Sequence, residues 1–159
     1  MLVFAILLGV FAVLHVPPLG RLEPLRTRRD KAAWALAAVF FFTGTDHFLN
    51  PERYMVMMPA YLPWPLALIY ISGFLELAGA AGLLIRRLRR WAAFGLVALL
   101  LAVFQANVYV ALEGISVPGL TEARWYYWLR LPLQFVLIGW AVWCTRSEKP
   151  RGQFSSQTN

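Results

Sequence analysis

The sequence predicts an all-α, polytopic membrane bundle of five transmembrane helices, on three observations. Of 159 residues, 60% are hydrophobic and only 14% are charged, whereas soluble domains sit near about 45–50% and about 25%. Mean hydropathy is +0.59, and a body of this size cannot hide that much apolar surface from water. The apolar residues also gather into five stretches, at 1–16, 32–49, 66–85, 91–112 and 127–144. The length suits one domain, 1–146, followed by a tail.

The first stretch is short and stops at Pro17 and Pro18, where a helix would lose hydrogen bonds. A signal peptide wants positive charge before its apolar run. Here the charges Arg21, Arg26, Arg28, Arg29 and Lys31 follow it, so a retained helix with its N-terminus outside is expected. The second and fifth stretches are long enough to cross, and the third and fourth comfortably so, since a span needs about 20 apolar residues. The turn 86–90 is four arginines around Leu88, short enough to make stretches three and four an antiparallel hairpin. Segment 50–65 carries Pro51, Pro59, Pro63 and Pro65 with Tyr54, Tyr61 and Trp64 between them. That density of proline blocks long helix, so the segment is expected to lie as a lid on the outer leaflet. The polar tail 147–159 is expected to lack fixed structure.

Charge sets the orientation. With the N-terminus outside, the cytoplasmic segments and C-terminus hold twelve Lys and Arg, and the opposite side holds only Arg53, Arg124 and Arg130, as the positive-inside rule requires. Trp34, Trp91, Trp140 and Trp143 then fall near inner helix ends, and Trp64, Trp125 and Trp128 near outer ends. Tryptophan prefers that headgroup level. The net charge of +7 is therefore a topology signal; no basic stretch on a soluble element suggests nucleic acid. The lone Cys144 excludes internal disulfides and a thiolate metal cage.

Polar residues within the spans ask for a reason, because ionisable groups at membrane depth usually face a bundle interior or a cavity. Glu76 lies mid-span; inserting it costs about 2.5–3.5 kcal/mol, which about ten strongly apolar neighbours at about 0.3–0.6 kcal/mol each outweigh. Ser72 shares its face one turn earlier. The second stretch ends in Thr43, Thr45, Asp46 and His47; the fourth carries Gln105, Asn107 and Tyr109; the fifth carries Arg130 and Gln134. Nearly all fall in the outer half, so a polar pocket opening outward beneath the lid is expected. Gly73, Ala78, Gly79, Ala80, Ala81 and Gly82 supply small-xxx-small spacing for close helix approach. Plainer roles stay open: Glu76 as a register-fixing partner of His47 or Arg130, or as a neutral hydrogen-bonded acid. Arg130 can snorkel, His47 can be merely interfacial, and Gln105 and Asn107 can be interhelical glue. His15 and Cys144 are given no role. The two histidines lie on opposite sides, which argues against a metal, and no haem, flavin or iron–sulfur motif is present.

The segment 44–107 resembles the DoxX family of small membrane proteins, in its DoxX-like branch. The pattern is Gly44, His47-Phe48, Pro51, Tyr54, Pro59, Leu62-Pro63, Tyr70, Ser72-Gly73, Glu76, Gly79 and Gly82-Leu83-Leu84. The basic turn and Ala106-Asn107 complete it. The resemblance implies a four-helix core, here with one added N-terminal helix, in a multi-pass protein of a bacterial plasma (inner) membrane. Some relatives are subunits of thiosulfate:quinone oxidoreductase and others belong to membrane redox complexes. No cysteine lies near the pocket, so dithiol chemistry is not available here.

Two functions remain open, ahead of a distant third, a carrier for a small anion or lipid. The first is a quinone-linked oxidoreductase, or a membrane subunit of one. In it Glu76 and His47 would be the catalytic proton groups, and Arg130, Gln134, Gln105, Asn107, Ser72, Tyr109 and Asp46 would contact the quinone or a small anion. Electrons would come from substrate or a redox partner protein. The second is a non-catalytic membrane subunit or assembly factor whose lid and arginine turn dock another protein. A homo-oligomer fits either.

Overall fold

A computed structural model describes residues 2–16, 25, 27–120 and 123–145. Among these residues the regular elements are all α-helices: α1 Leu2–Val13, α2 Arg28–Leu49, α3 Pro51–Met55, α4 Pro65–Leu84, α5 Arg89–Glu113 and α6 Arg124–Thr145. Four of them, α2, α4, α5 and α6, are long and apolar enough to cross a membrane. At 1.5 Å per residue the shortest is about 30 Å long, the thickness of a hydrocarbon core. The short apolar α1 joins them. The tail 147–159 lies outside the described residues.

Helix limits differ from the sequence expectation chiefly at charged ends. α2 begins at Arg28 rather than near residue 32, because Thr27 and Asp30 form a capping box. Asp30 N donates to Thr27 Oγ1 at 3.0 Å, and Thr27 N donates to Asp30 Oδ2 at 3.2 Å. Two otherwise orphaned donors are thus satisfied, which carries the helix through four charged residues. α1 stops at Val13, with a turn from Leu14 to Val16, so the expected 1–16 helix is shorter. α6 runs through Pro132.

Of the expected lid, residues 51–55 form the one-turn α3, entered by Pro51 in its first turn. The rest winds to Trp64, which holds a left-handed backbone (φ 49°) at the N-cap of α4. For a non-glycine residue that conformation costs about 1–2 kcal/mol.

α2 is the central rod, packed on α1, α4 and α6, while α5 pairs with α4 and α6. The α2–α4 crossing is made by two glycines. A Cβ on Gly44 would sit 3.0 Å from Gly73 O, and one on Gly73 would sit 2.6 Å from His47 Cβ. Without side chains there, the backbones approach closely enough to set His47 against Glu76. The small face of α4 is therefore split: Gly73 meets α2, while Gly79 and Gly82 meet Leu96 and Ala92 of α5. A core centred on Leu36, Leu83 and Leu96 fills one end and the middle. A second, smaller core of Met57, Val110, Ala111, Val117 and Tyr127 lies under the α5–α6 loop.

Candidate functional site

At the end where α2 finishes, its last two turns present Thr43, Asp46 and His47 on one face, three and four residues apart as helical geometry requires. α4 brings Ser72 and Glu76 opposite. Glu76 and His47 are 7% and 6% exposed, yet both carry titratable groups. Glu76 Oε1 lies 3.6 Å from His47 Nε2, and Thr43 Oγ1 is 2.5 Å from Glu76 Oε2. The other imidazole nitrogen, Nδ1, is 3.3 Å from Ser72 Oγ.

Proton counting constrains this chain. Ser72 has one hydroxyl proton and donates it to Ile69 O at 2.8 Å, so at His47 it acts as acceptor and Nδ1 carries hydrogen. Nε2 then faces the Glu76 carboxyl across 3.6 Å, an ion-pair separation too long for a hydrogen bond. Geometry therefore sets an imidazole nitrogen and a carboxyl side by side as an acid–base pair. Tyr54 of α3 stacks on the His47 ring, centroids 3.8 Å apart and planes 19° off parallel.

Asp46 does a different job. Its Oδ1 accepts from Asn50 Nδ2 at 2.6 Å, and its Oδ2 accepts from Arg53 Nη1 at 2.7 Å and from Tyr54 OH at 2.9 Å. Arg53 Nε donates onward to Pro118 O at 3.0 Å. This clamp ties α2, α3 and the α5–α6 loop together, so the roof has two segments, residues 50–65 and the loop. Burial first, then the hydrogen bond to Asp46 and the nearby carboxylates, raises the Tyr54 hydroxyl well above its ordinary pKa.

Beneath the roof is a cavity of about 260 Å³. Of the residues singled out from the sequence, Thr43, Asp46, His47, Ser72, Glu76, Asn107, Arg130 and Gln134 line it. Gln105 and Tyr109 do not. α5 turns Leu100, Val103 and Asn107 inward, which directs Gln105 to the opposite, exposed face. Position in the outer third of the helix was the right level but the wrong azimuth. Asn107 Nδ2 donates to Gln134 Oε1 at 2.9 Å, and Gln134 Nε2 donates to Leu100 O. These two amides thus bridge α5 to α6.

Arg130 is the exception among the polar groups of the cavity. Its guanidinium lies over the Tyr126 ring, 6.0 Å from the centroid. Among the described residues it has no hydrogen-bond acceptor and no carboxylate; Glu76 pairs with His47 instead. Sequence reasoning gave no role in the site to Tyr54, Tyr126, the α5–α6 loop or Leu2, Val3 and Phe4 of α1, all of which build it. An i, i+4 count from Arg130 back to Tyr126 would have found one of them. Among the described residues no group of His, Cys, Asp and Glu could hold a metal ion.

The opposite end carries a second charged cluster, also unforeseen. Asp30, 3% exposed, accepts from Arg86 Nη2 at 3.0 Å, Arg89 Nη1 at 2.8 Å and Thr27 Oγ1 at 3.0 Å. Arg89 Nε also donates to Leu83 O. The signal was a Thr-x-x-Asp box amid basic residues.

A family profile described as a domain of unknown function, DUF8561, matches residues 36–145, from within α2 to the end of α6. No curated protein and no solved structure matches the chain.

Proposed function

The chain belongs to the DUF8561 family, and from that premise we propose that it is a membrane protein whose cavity binds a quinone, as an oxidoreductase or the membrane subunit of one. One observation carries the reading: Arg130, which has no anionic partner among the described residues, shares a cavity with the acid–base pair of His47 and Glu76. The cavity is apolar along Val39, Phe40, Leu100 and Leu137 and polar toward the roof, which suits a hydrophobic ring held by few polar contacts. Arg130 donates to one ring carbonyl oxygen. Reduction of a quinone consumes two electrons and two protons; a redox partner protein supplies the electrons, and both protons come from water on the outer side, passed one after the other by the His47–Glu76 pair. The DoxX-like pattern of residues 44–107 is part of this proposal and favours quinone over other amphipathic rings. So is the setting, a bacterial plasma membrane with the cavity in the outer leaflet half, which rests on the twelve-to-three asymmetry of Lys and Arg.

A non-catalytic subunit or assembly factor is the second reading, and one observation favours it. Among the described residues every buried side-chain nitrogen and oxygen already has a partner, as a cluster that merely fixes helix register would. Extraction from the native membrane, followed by analysis of bound lipids and quinones, separates the two. Stoichiometric quinone, lost in Glu76→Gln and Arg130→Ala with helix content unchanged, supports the redox site. No quinone, with a reproducibly co-purifying enzyme, supports the subunit.

A further inference from the structure

The cavity is bounded differently on different sides. Toward the aqueous end it is roofed by Met57, Met58 and Leu120, pinned by the Asp46–Arg53–Pro118 clamp. Toward the lipid its wall is Leu2, Val3 and Phe4 of α1 with Phe42 of α2 and Leu133 of α6, and these residues are all hydrocarbon. α1 is fastened at its other end, where Leu7 is buried and the Phe11 ring sits 5.2 Å from Trp140 and 6.4 Å from Trp143. Leu2, in the turn over the cavity, is 59% exposed. Among the described residues α1 makes no hydrogen bond to another element. Apolar contacts alone hold a helix weakly in a bilayer, because lipid tails are as apolar as the contacts they replace.

Resting on the quinone reading, we propose that the cavity is loaded sideways from the bilayer, through the seam under the first turn of α1. The ligand is then a lipid-dissolved ring with a hydrocarbon tail: the ring's acceptor oxygen lies on Arg130 and the tail runs out between α1, Phe42 and Leu133. α1 is the gate, and the clamped roof stays shut.

The test uses the full chain in lipid nanodiscs with two probes, a long-chain ubiquinone dissolved in the lipid and the same ring without its tail, added from water. Binding of each is followed in time, for the wild type and for Val3→Phe and Leu133→Phe, which add bulk on opposite sides of the seam; thermal unfolding confirms that each variant folds. Either folded variant is expected to slow uptake of the long-chain quinone about tenfold, as obstruction of a gating element does, and to slow the tail-less ring, which passes the same seam without threading a tail through it, by less. Unchanged long-chain uptake in both folded variants overturns the lateral route, as does equal slowing of both probes, which would mean that the added bulk fills the ring site. If the wild type binds the tail-less ring but not the long-chain quinone, the tail seam is wrong and the ring site survives. If it binds neither, the quinone reading fails, and the lateral route falls with it.

Discussion

Each end of the bundle holds an acidic residue of α2 against arginine, Asp30 buried and Asp46 half-buried, but to opposite effect. At one end Asp30 takes hydrogen bonds from Arg86, Arg89 and Thr27, and the carboxylate is fully occupied. Arg86 and Arg89 come from the α4–α5 turn and the start of α5, so the cluster staples that hairpin to α2. At the other end Asp46 is equally occupied by Asn50, Arg53 and Tyr54, yet a further arginine, Arg130, is left facing a cavity. Charge that is matched inside the chain stabilises the fold; charge left unmatched beside a cavity is available to a ligand. The difference turns on the extra cation and the empty volume, not on the carboxylates.

That comparison breaks most visibly at Asp30. Asp30→Ala leaves the mostly buried Arg89 without its anion and is expected to cost about 3 kcal/mol, as loss of one partner of a buried pair does. Denaturant unfolding in detergent measures it, and a loss under about 1 kcal/mol would mean that the staple is ornamental. Next is the α2–α4 crossing: Gly73→Ala places a Cβ 2.6 Å from His47 Cβ and is expected to cost about 2 kcal/mol by overpacking. Gly9→Ala, with nothing within 4 Å of the added Cβ, is the neutral control in the same assay.

The clamp supplies a pH test. Because folding raises the Tyr54 pKa above its ordinary value of 10.0, the folded state holds that proton longer than the unfolded state. Its contribution is complete below about pH 10 and falls as pH rises beyond it. Stability curves of wild type and Tyr54→Phe should therefore converge on the alkaline side; parallel curves would remove Tyr54 from the clamp. At the cavity, Arg130→Ala is expected to cost about 0.5–1 kcal/mol, the stacking of the guanidinium on Tyr126, since no anion faces it among the described residues, while abolishing the quinone retained on the proposed reading. A large stability loss would assign Arg130 to structure. The smallest effect belongs to Gln105→Ala, expected to leave both stability and bound quinone as in the wild type, because Gln105 points away from the cavity.

Much of this was legible in residue order. The lengths of the apolar runs located the four long helices, and the short arginine turn made a hairpin of two of them. Glu76, Ser72, His47 and Arg130 were found from depth alone, because a polar group within an apolar run has few places to go. Depth could not find azimuth, which is why Gln105 and Tyr109 were expected in a cavity they do not line. Nor could it find Tyr54 stacked on His47, since the lid reaches that ring through the geometry of α3.

The sequence by itself determined that the chain is a helical membrane bundle and at what level its polar groups lie, because hydropathy and charge act locally along the chain. Only the tertiary structure decided which of them meet. Whether Glu76 faces His47 or Arg130 depends on the rotation of one rod against another, set where Gly44 meets Gly73, and hydropathy is blind to rotation.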